Sequence, residues 1–258
     1  MTSFAPINDD HAVTSVLFGL QLDEFIEPPT IELIKRATPW SDSLPAVTAL
    51  PPVEINQGGQ NFPIPAVQFA IVRPDSRPLW SVKFSGYDLI VECTVYSRWA
   101  EVWNSASRYL SEAFELVRSK QTDVNISDFR LQVTDQFRTA EEGYKASDLF
   151  AEGSRYLAPM AYDGRQVWNN AVGWSETEGN VRYSDTLAIQ IQGYENGSTV
   201  TPPYLVTIQH FGRAVTAGDP APDVERLDEL ITNLHERNKN VIREILSAEM
   251  RERIGLKQ

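Results

Sequence analysis

The chain has 258 residues, 42% of them hydrophobic and 22% charged, with a formal net charge of −12. Those values describe an ordinary folding chain and exclude the disordered and low-complexity classes. The acid excess argues against nucleic acid as a partner, because phosphate neutralisation needs a basic footprint. The single cysteine, Cys93, cannot form an internal disulfide, and the N-terminal residues lack the basic flank and apolar run of a secretory signal, so a cytoplasmic location is expected. Apolar runs fall short of the roughly 20 residues needed to cross a bilayer, so no membrane association is expected.

The first predicted element is a strand from about Ala12 to Leu22, followed by Pro28-Pro29 and a short helix through Ile31, Leu33 and Ile34 that stops near Pro39. Residues 39–65 hold six prolines and Gly58-Gly59, and are expected to be an irregular excursion carrying Trp40, a natural anchor for a partner. Alternation then marks a β-meander: Val67 to Val72, Trp80-Val82-Phe84 and Leu89-Val91-Cys93-Val95, with turns at Asp75–Pro78 and Ser85–Asp88. Cys93 keeps step with its apolar neighbours and reads as a buried hydrophobe.

A helix capped by Ser97 and reaching Arg118 follows, with Trp99, Val102, Trp103, Ala106 and Leu110 at helical spacing. The next strand places Phe129, Leu131, Val133, Asp135 and Phe137 on one face and Arg130, Gln132, Thr134 and Arg138 on the other. Asp135 is therefore the candidate catalytic carboxylate, since burial among apolar residues raises a carboxyl pKa. After an acidic loop, a second meander runs from about Val167, with turns at Glu178-Gly179-Asn180 and Asn196-Gly197 and strands near Leu187–Ile191 and Leu205–Phe211. His210 on the last of these is the candidate general base.

The final helix is predicted over Asp223–Ile254. Val224, Leu227, Ile231, Leu234, Asn238, Val241, Ile245 and Ala248 form a heptad seam with one polar position, the pattern by which an Asn fixes coiled-coil register. Leu230 and Ile242 widen the apolar face as for a helix packed on its own sheet. A homodimer through Leu227, Ile231, Leu234, Asn238, Val241 and Ile245 and packing within the subunit both stay open. Arg251, Arg253 and Lys257 suit a helix C-terminus.

Strands then helix, twice, argue for an α+β fold of antiparallel meanders in two similar half-domains, about 1–140 and 141–258, each followed by a helix. His11, His210 and His235 lack metal-ligand spacing, so no metal and no cofactor is expected. Asp128, Asp148, Glu141, Glu142 and Glu152 have no fixed loop spacing, though crowding near Asp135 would make them oxygen ligands. Walker A, Gly-x-Ser-x-Gly and Gly-x-Gly-x-x-Gly motifs are missing from the sequence.

Ala12–Phe18, the meander ending Leu89-Ile90-Val91, the helix opening Tyr96-Ser97-Arg98-Trp99-Ala100-Glu101-Val102-Trp103, and the segments Leu227–Leu230 and Leu234–Asn238 together resemble a sporadically distributed family of bacterial proteins of similar length with no assigned activity. The resemblance implies an α+β fold and a soluble accessory protein. The leading functional reading is a non-catalytic protein-interaction, regulatory or accessory subunit with a protein partner. The alternatives are a hydrolytic or metal-assisted enzyme using Asp135 and His210, and a small-ligand module lined by Arg130, Gln132 and Arg138.

Overall fold

The computed structural model describes residues 3–8, 10–57, 60–163, 167–196, 199–216 and 224–256. The expected turn residues Gly58-Gly59 and Gly197, and the expected helix start at Asp223, lie outside them. The strands are β1 (Ala5–Pro6), β2 (Val13–Leu22), β3 (Ala46–Gln57), β4 (Gln60–Val72), β5 (Pro78–Ser85), β6 (Asp88–Cys93), β7 (Ile126–Thr139), β8 (Trp168–Glu178), β9 (Val181–Asn196) and β10 (Thr199–Thr216). The helices are α1 (Pro28–Ala37), α2 (Trp99–Arg118), α3 (Leu227–Ile245) and α4 (Ala248–Arg253).

The ten strands make one antiparallel sheet in the order β3-β4-β5-β6-β2-β7-β10-β9-β8, with β1 added to β7. β2 and β7, each the opening strand of its run, lie side by side at the centre, and each meander returns to pair with its own opening strand through β6 or β10. The α2 helix packs on β6 and β2, and α3 on β7 and β10. Alternation decides which residues meet the helices: Val16, Phe18 and Leu20 of β2 and Leu89 and Val91 of β6 are buried there. Among the described residues no helix is long and apolar enough to cross a membrane.

Residues 46–57 and 60–65 are not irregular but strand, and only 39–45 form turns before them. Ala46–Gln57 is an edge strand paired with β4, and the register shift between Leu50 and Val53 absorbs Pro51-Pro52. Pro63 and Pro65 fall where β4 pairs with β3 but not with β5, whose ladder covers Ala66–Val72. Prolines lack an N–H, so a sheet tolerates them where one strand edge is unpaired. Trp40 is 6% exposed, ringed by Phe69, Phe84 and Tyr109, and its Nε1 donates to Glu112 at 2.6 Å. It is a core residue and not a free anchor.

The last helix is broken. Leu246 is extended and bridges Phe150, Ala151 N–H donates to Ile245 at 2.9 Å, and Ser247 caps α4 by accepting from Met250 N–H. The heptad seam is turned onto the sheet, where Leu227, Ile231, Leu234, Asn238, Val241 and Ile245 are all buried within the chain. A coiled coil through these side chains would have to strip them from the sheet. At the other long helix, Arg98 and not Ser97 holds the N-cap position, and Ser97 Oγ donates to Glu101 instead.

Candidate functional site

Two apolar clusters lie beneath the helices. One joins Phe18, Leu20, Phe84 and Val91 to α2 and the first half of α3; the other joins Phe137, Ile189, Val206 and Ile208 to the second half of α3 and to Met250. The β7 strand runs through both, with Leu131 and Val133 in the first and Phe137 in the second; Asp135 stands between them. The α3 helix repeats the pattern, with Leu230 and Leu234 in the first cluster, Val241 and Ile245 in the second, and Asn238 between. The junction is polar because β7 places Asp135 there and α3 places Asn238.

A partly enclosed cavity of about 140 Å³ opens at this junction. Val13 and Val16 of β2 and Val133 and Asp135 of β7 form its floor. Over it lie His235, Asn238 and Ile242 of α3, with Tyr96 and Trp99 at the side and Ile254 and Leu256 closing the end. A β-bulge shapes the floor: the register passes from Val16↔Val133 and Ser15↔Thr134 to Val13↔Asp135, leaving Thr14 as the extra residue. Bulges re-aim side chains, and here Val13 is brought opposite Asp135.

Asp135 is 5% exposed and Asn238 is 6% exposed. Among the described residues no hydrogen bond reaches the Asp135 carboxyl, and burial alone pushes its pKa up to about 7. Asn238 Oδ1 and His235 Nδ1 are also buried without partners. Burial, with the charge of Lys239 adding to it, lowers the His235 pKa to about 4, so its imidazole is neutral at pH 7. Burial and the nearby Asp135 push the Tyr96 phenol up to about 12. A buried polar group without a partner costs about 1–3 kcal/mol, and the Asp135 carboxyl lines this space without one.

The cavity has an approach. A wider groove of about 820 Å³, bordered by Asn8, Arg73, Thr94 and Gln136, shares His11, Val13 and Tyr96 with it. The His11 and Tyr96 rings meet edge-on at that boundary, 5.5 Å apart.

His210 does not line the cavity. It shares the sheet face with Asp135, since Ile208 pairs with Asp135 and His210 with Val133, but its Nε2 lies 3.3 Å from Oδ1 of Asp185 and its ring stacks near Trp174. Burial favours the neutral Asp185 carboxyl, but hydrogen bonds from His210 and Arg237 outweigh it and hold the pKa below the usual value. Arg237 also meets Glu176 and Glu178. That cluster anchors α3 to β8 and β9, and the expected pairing of His210 with Asp135 is not formed.

Nor is there an acidic group around Asp135 that could hold a metal among the described residues. Asp128 points to the opposite sheet face, where Arg130 Nε and Arg213 Nε donate to it at 2.7 and 2.9 Å. Arg130 continues across Gly19 to Asp88 at 2.9 Å; a Cβ on Gly19 would sit 3.4 Å from Arg130 Cβ. The face carrying Arg130, Gln132 and Arg138 thus lies across the sheet from the cavity. Among the described residues no three His, Cys, Asp or Glu side chains gather to hold a metal. Cys93 is buried, and burial pushes its thiol up to about 11.

No family model, curated protein or solved structure matches this chain. Function is therefore argued from the site itself. Sequence reasoning isolated Asp135 and Asn238 for separate reasons and missed His235, Tyr96 and Trp99 as their neighbours. The available signal was local: His235 lies three residues before Asn238, on the same helix face, Trp99 opens α2 and Tyr96 lies three residues before it.

Proposed function

We propose that this chain is a small-ligand-binding protein of accessory or regulatory type, with its ligand in the cavity between Asp135 and Asn238. The observation that carries this reading is the Asp135 carboxyl, buried without a hydrogen bond against an otherwise apolar space that Asn238 and His235 also line. Folding alone gains nothing from leaving such a group unsatisfied, whereas a ligand that completes its hydrogen bonds recovers that cost on binding. The shared residues His11 and Tyr96 serve as the entrance from the outer groove. The placement of β2 and β7 at the centre of the sheet supports a division into two halves, with the ligand seated where they meet.

Ligand-observed NMR with a fragment library tests this directly. Fragments should bind the native chain and lose their affinity for Val13→Phe, whose larger side chain takes up part of the space. Fragments binding both proteins equally would place any ligand elsewhere.

Asp135 supports a second reading, an enzyme using this carboxyl as a general acid, because a pKa of about 7 suits proton transfer near neutral pH. Bound fragments recovered unchanged after incubation favour binding alone. Conversion that disappears in Asp135→Asn favours catalysis.

A further inference from the structure

The charges around the cavity are out of balance. The Asp135 carboxyl lines it without a hydrogen bond. The cation at its border is occupied. Lys239, which lines the wall with its stem, gives its ammonium to Glu236 at 2.7 and 3.0 Å. His11 Nδ1 lies 3.3 Å from the Asn8 amide, and Nε2 lies 3.8 Å from Asp10. His235 stays neutral at pH 7, so it brings no opposing charge.

The remaining wall is apolar: Val13, Val16, Val133, Ile242, Ile254 and Leu256. Both faces of the Trp99 indole are covered, by His235 at 3.7 Å and by Trp103 at 6.0 Å, so Trp99 offers its edge to the space. A volume of about 140 Å³ suits one small ring or a short branched chain, since apolar cavities of about 150 Å³ take up benzene.

We infer that the ligand is a small primary amine with a compact apolar body, its ammonium group donating to Asp135. An ammonium carries three donors and no acceptor. It also supplies the counter-charge that the buried carboxylate lacks, and charge-assisted hydrogen bonds are the stronger kind. The groups facing Asp135 from the segment before β2, from the start of α2 and from α3 are His11, Tyr96, His235 and Lys239. Of these only Lys239 is a permanent cation, and Glu236 holds it. This inference rests on reading the cavity as a ligand site.

Calorimetry and thermal shift with benzylamine, benzyl alcohol and benzoate separate the two claims. Benzylamine should bind at least about tenfold more tightly than benzyl alcohol at neutral pH, and benzoate should not bind. Because the ammonium requires an ionised Asp135, benzylamine affinity should fall by about tenfold or more between about pH 8 and about pH 5. Asp135→Asn should erase the preference for benzylamine; if that variant fails to fold, the pH dependence in the native chain decides alone. Benzyl alcohol binding as tightly as benzylamine, with both blocked by Val13→Phe, would overturn the amine class and leave the cavity reading intact. Failure of all three compounds to bind, with the same failure across the fragment library, would overturn both.

Discussion

The imidazole of His235 lies flat on the indole of Trp99, with ring centroids 3.7 Å apart and planes within 3° of parallel. This contact joins α3 to the first turn of α2 across the cavity mouth, and Trp103 extends the stack on the far side of Trp99. It leaves His235 Nδ1 facing away from any partner. The stack therefore holds the two helices together while keeping a polar nitrogen beside Asn238.

His235 in its buried place binds a proton more weakly than in the unfolded chain, with a pKa of about 4 against 6.5. Its linked contribution is complete above about pH 6.5 and is lost as pH falls towards 4, an effect of about 2–3 kcal/mol. His235→Phe keeps an aromatic ring on Trp99 and removes the titration. Urea unfolding should then show stability that is less sensitive to acid over that window.

Asp135 has the opposite sign. Its folded pKa of about 7 lies above the 3.8 usual for an aspartate, so the native state holds the proton more tightly than the unfolded one. Its linked contribution is fully present below about pH 4 and lost as pH rises through about 7, on the order of 4 kcal/mol in total. Asp135→Asn, measured by denaturant titration at pH 5 and pH 8, should lose that decline and be the more stable protein at the higher pH. A native chain and variant with parallel pH profiles would show that Asp135 is ionised and satisfied in solution.

Asn238→Leu replaces an amide with an unpartnered, buried oxygen by a side chain of similar size. Stability should rise by about 1 kcal/mol, and oligomeric mass by light scattering should be unchanged, because the residue faces the chain's own sheet. A change in mass would restore the coiled-coil role suggested by its heptad position.

Trp40→Ala should cost about 3–5 kcal/mol, the usual loss for a buried aromatic. The indole fills the space between α1, Phe69 and Phe84 and donates to Glu112. A melting temperature unchanged by the substitution would mean that the ring is not packed in solution.

The alternating strands and both amphipathic helices were legible because each follows the period of its own backbone. Residues 46–57 and 60–65 were misread because their prolines break local periodicity, while what pairs Ala46–Gln57 with β4 is a ladder of backbone groups that no side-chain pattern records. The break at Leu246 was hidden for a related reason: the extended backbone there is held by hydrogen bonds from residues 149–151, nearly a hundred positions away.

The candidate site was legible as two separate irregularities. Asp135 is the one carboxylate among the inward positions of its strand, and Asn238 the one amide in an apolar heptad seam; each stands out because periodicity is a property of one element at a time. That both close on one cavity, while His210 turns to Asp185 and Trp40 to the core, depended on which strands became neighbours. The sequence by itself determined the elements, their buried faces and the polar position within each. Only the tertiary structure decided which of those positions met, because strand order and helix placement come from pairings between distant segments that local propensity does not encode.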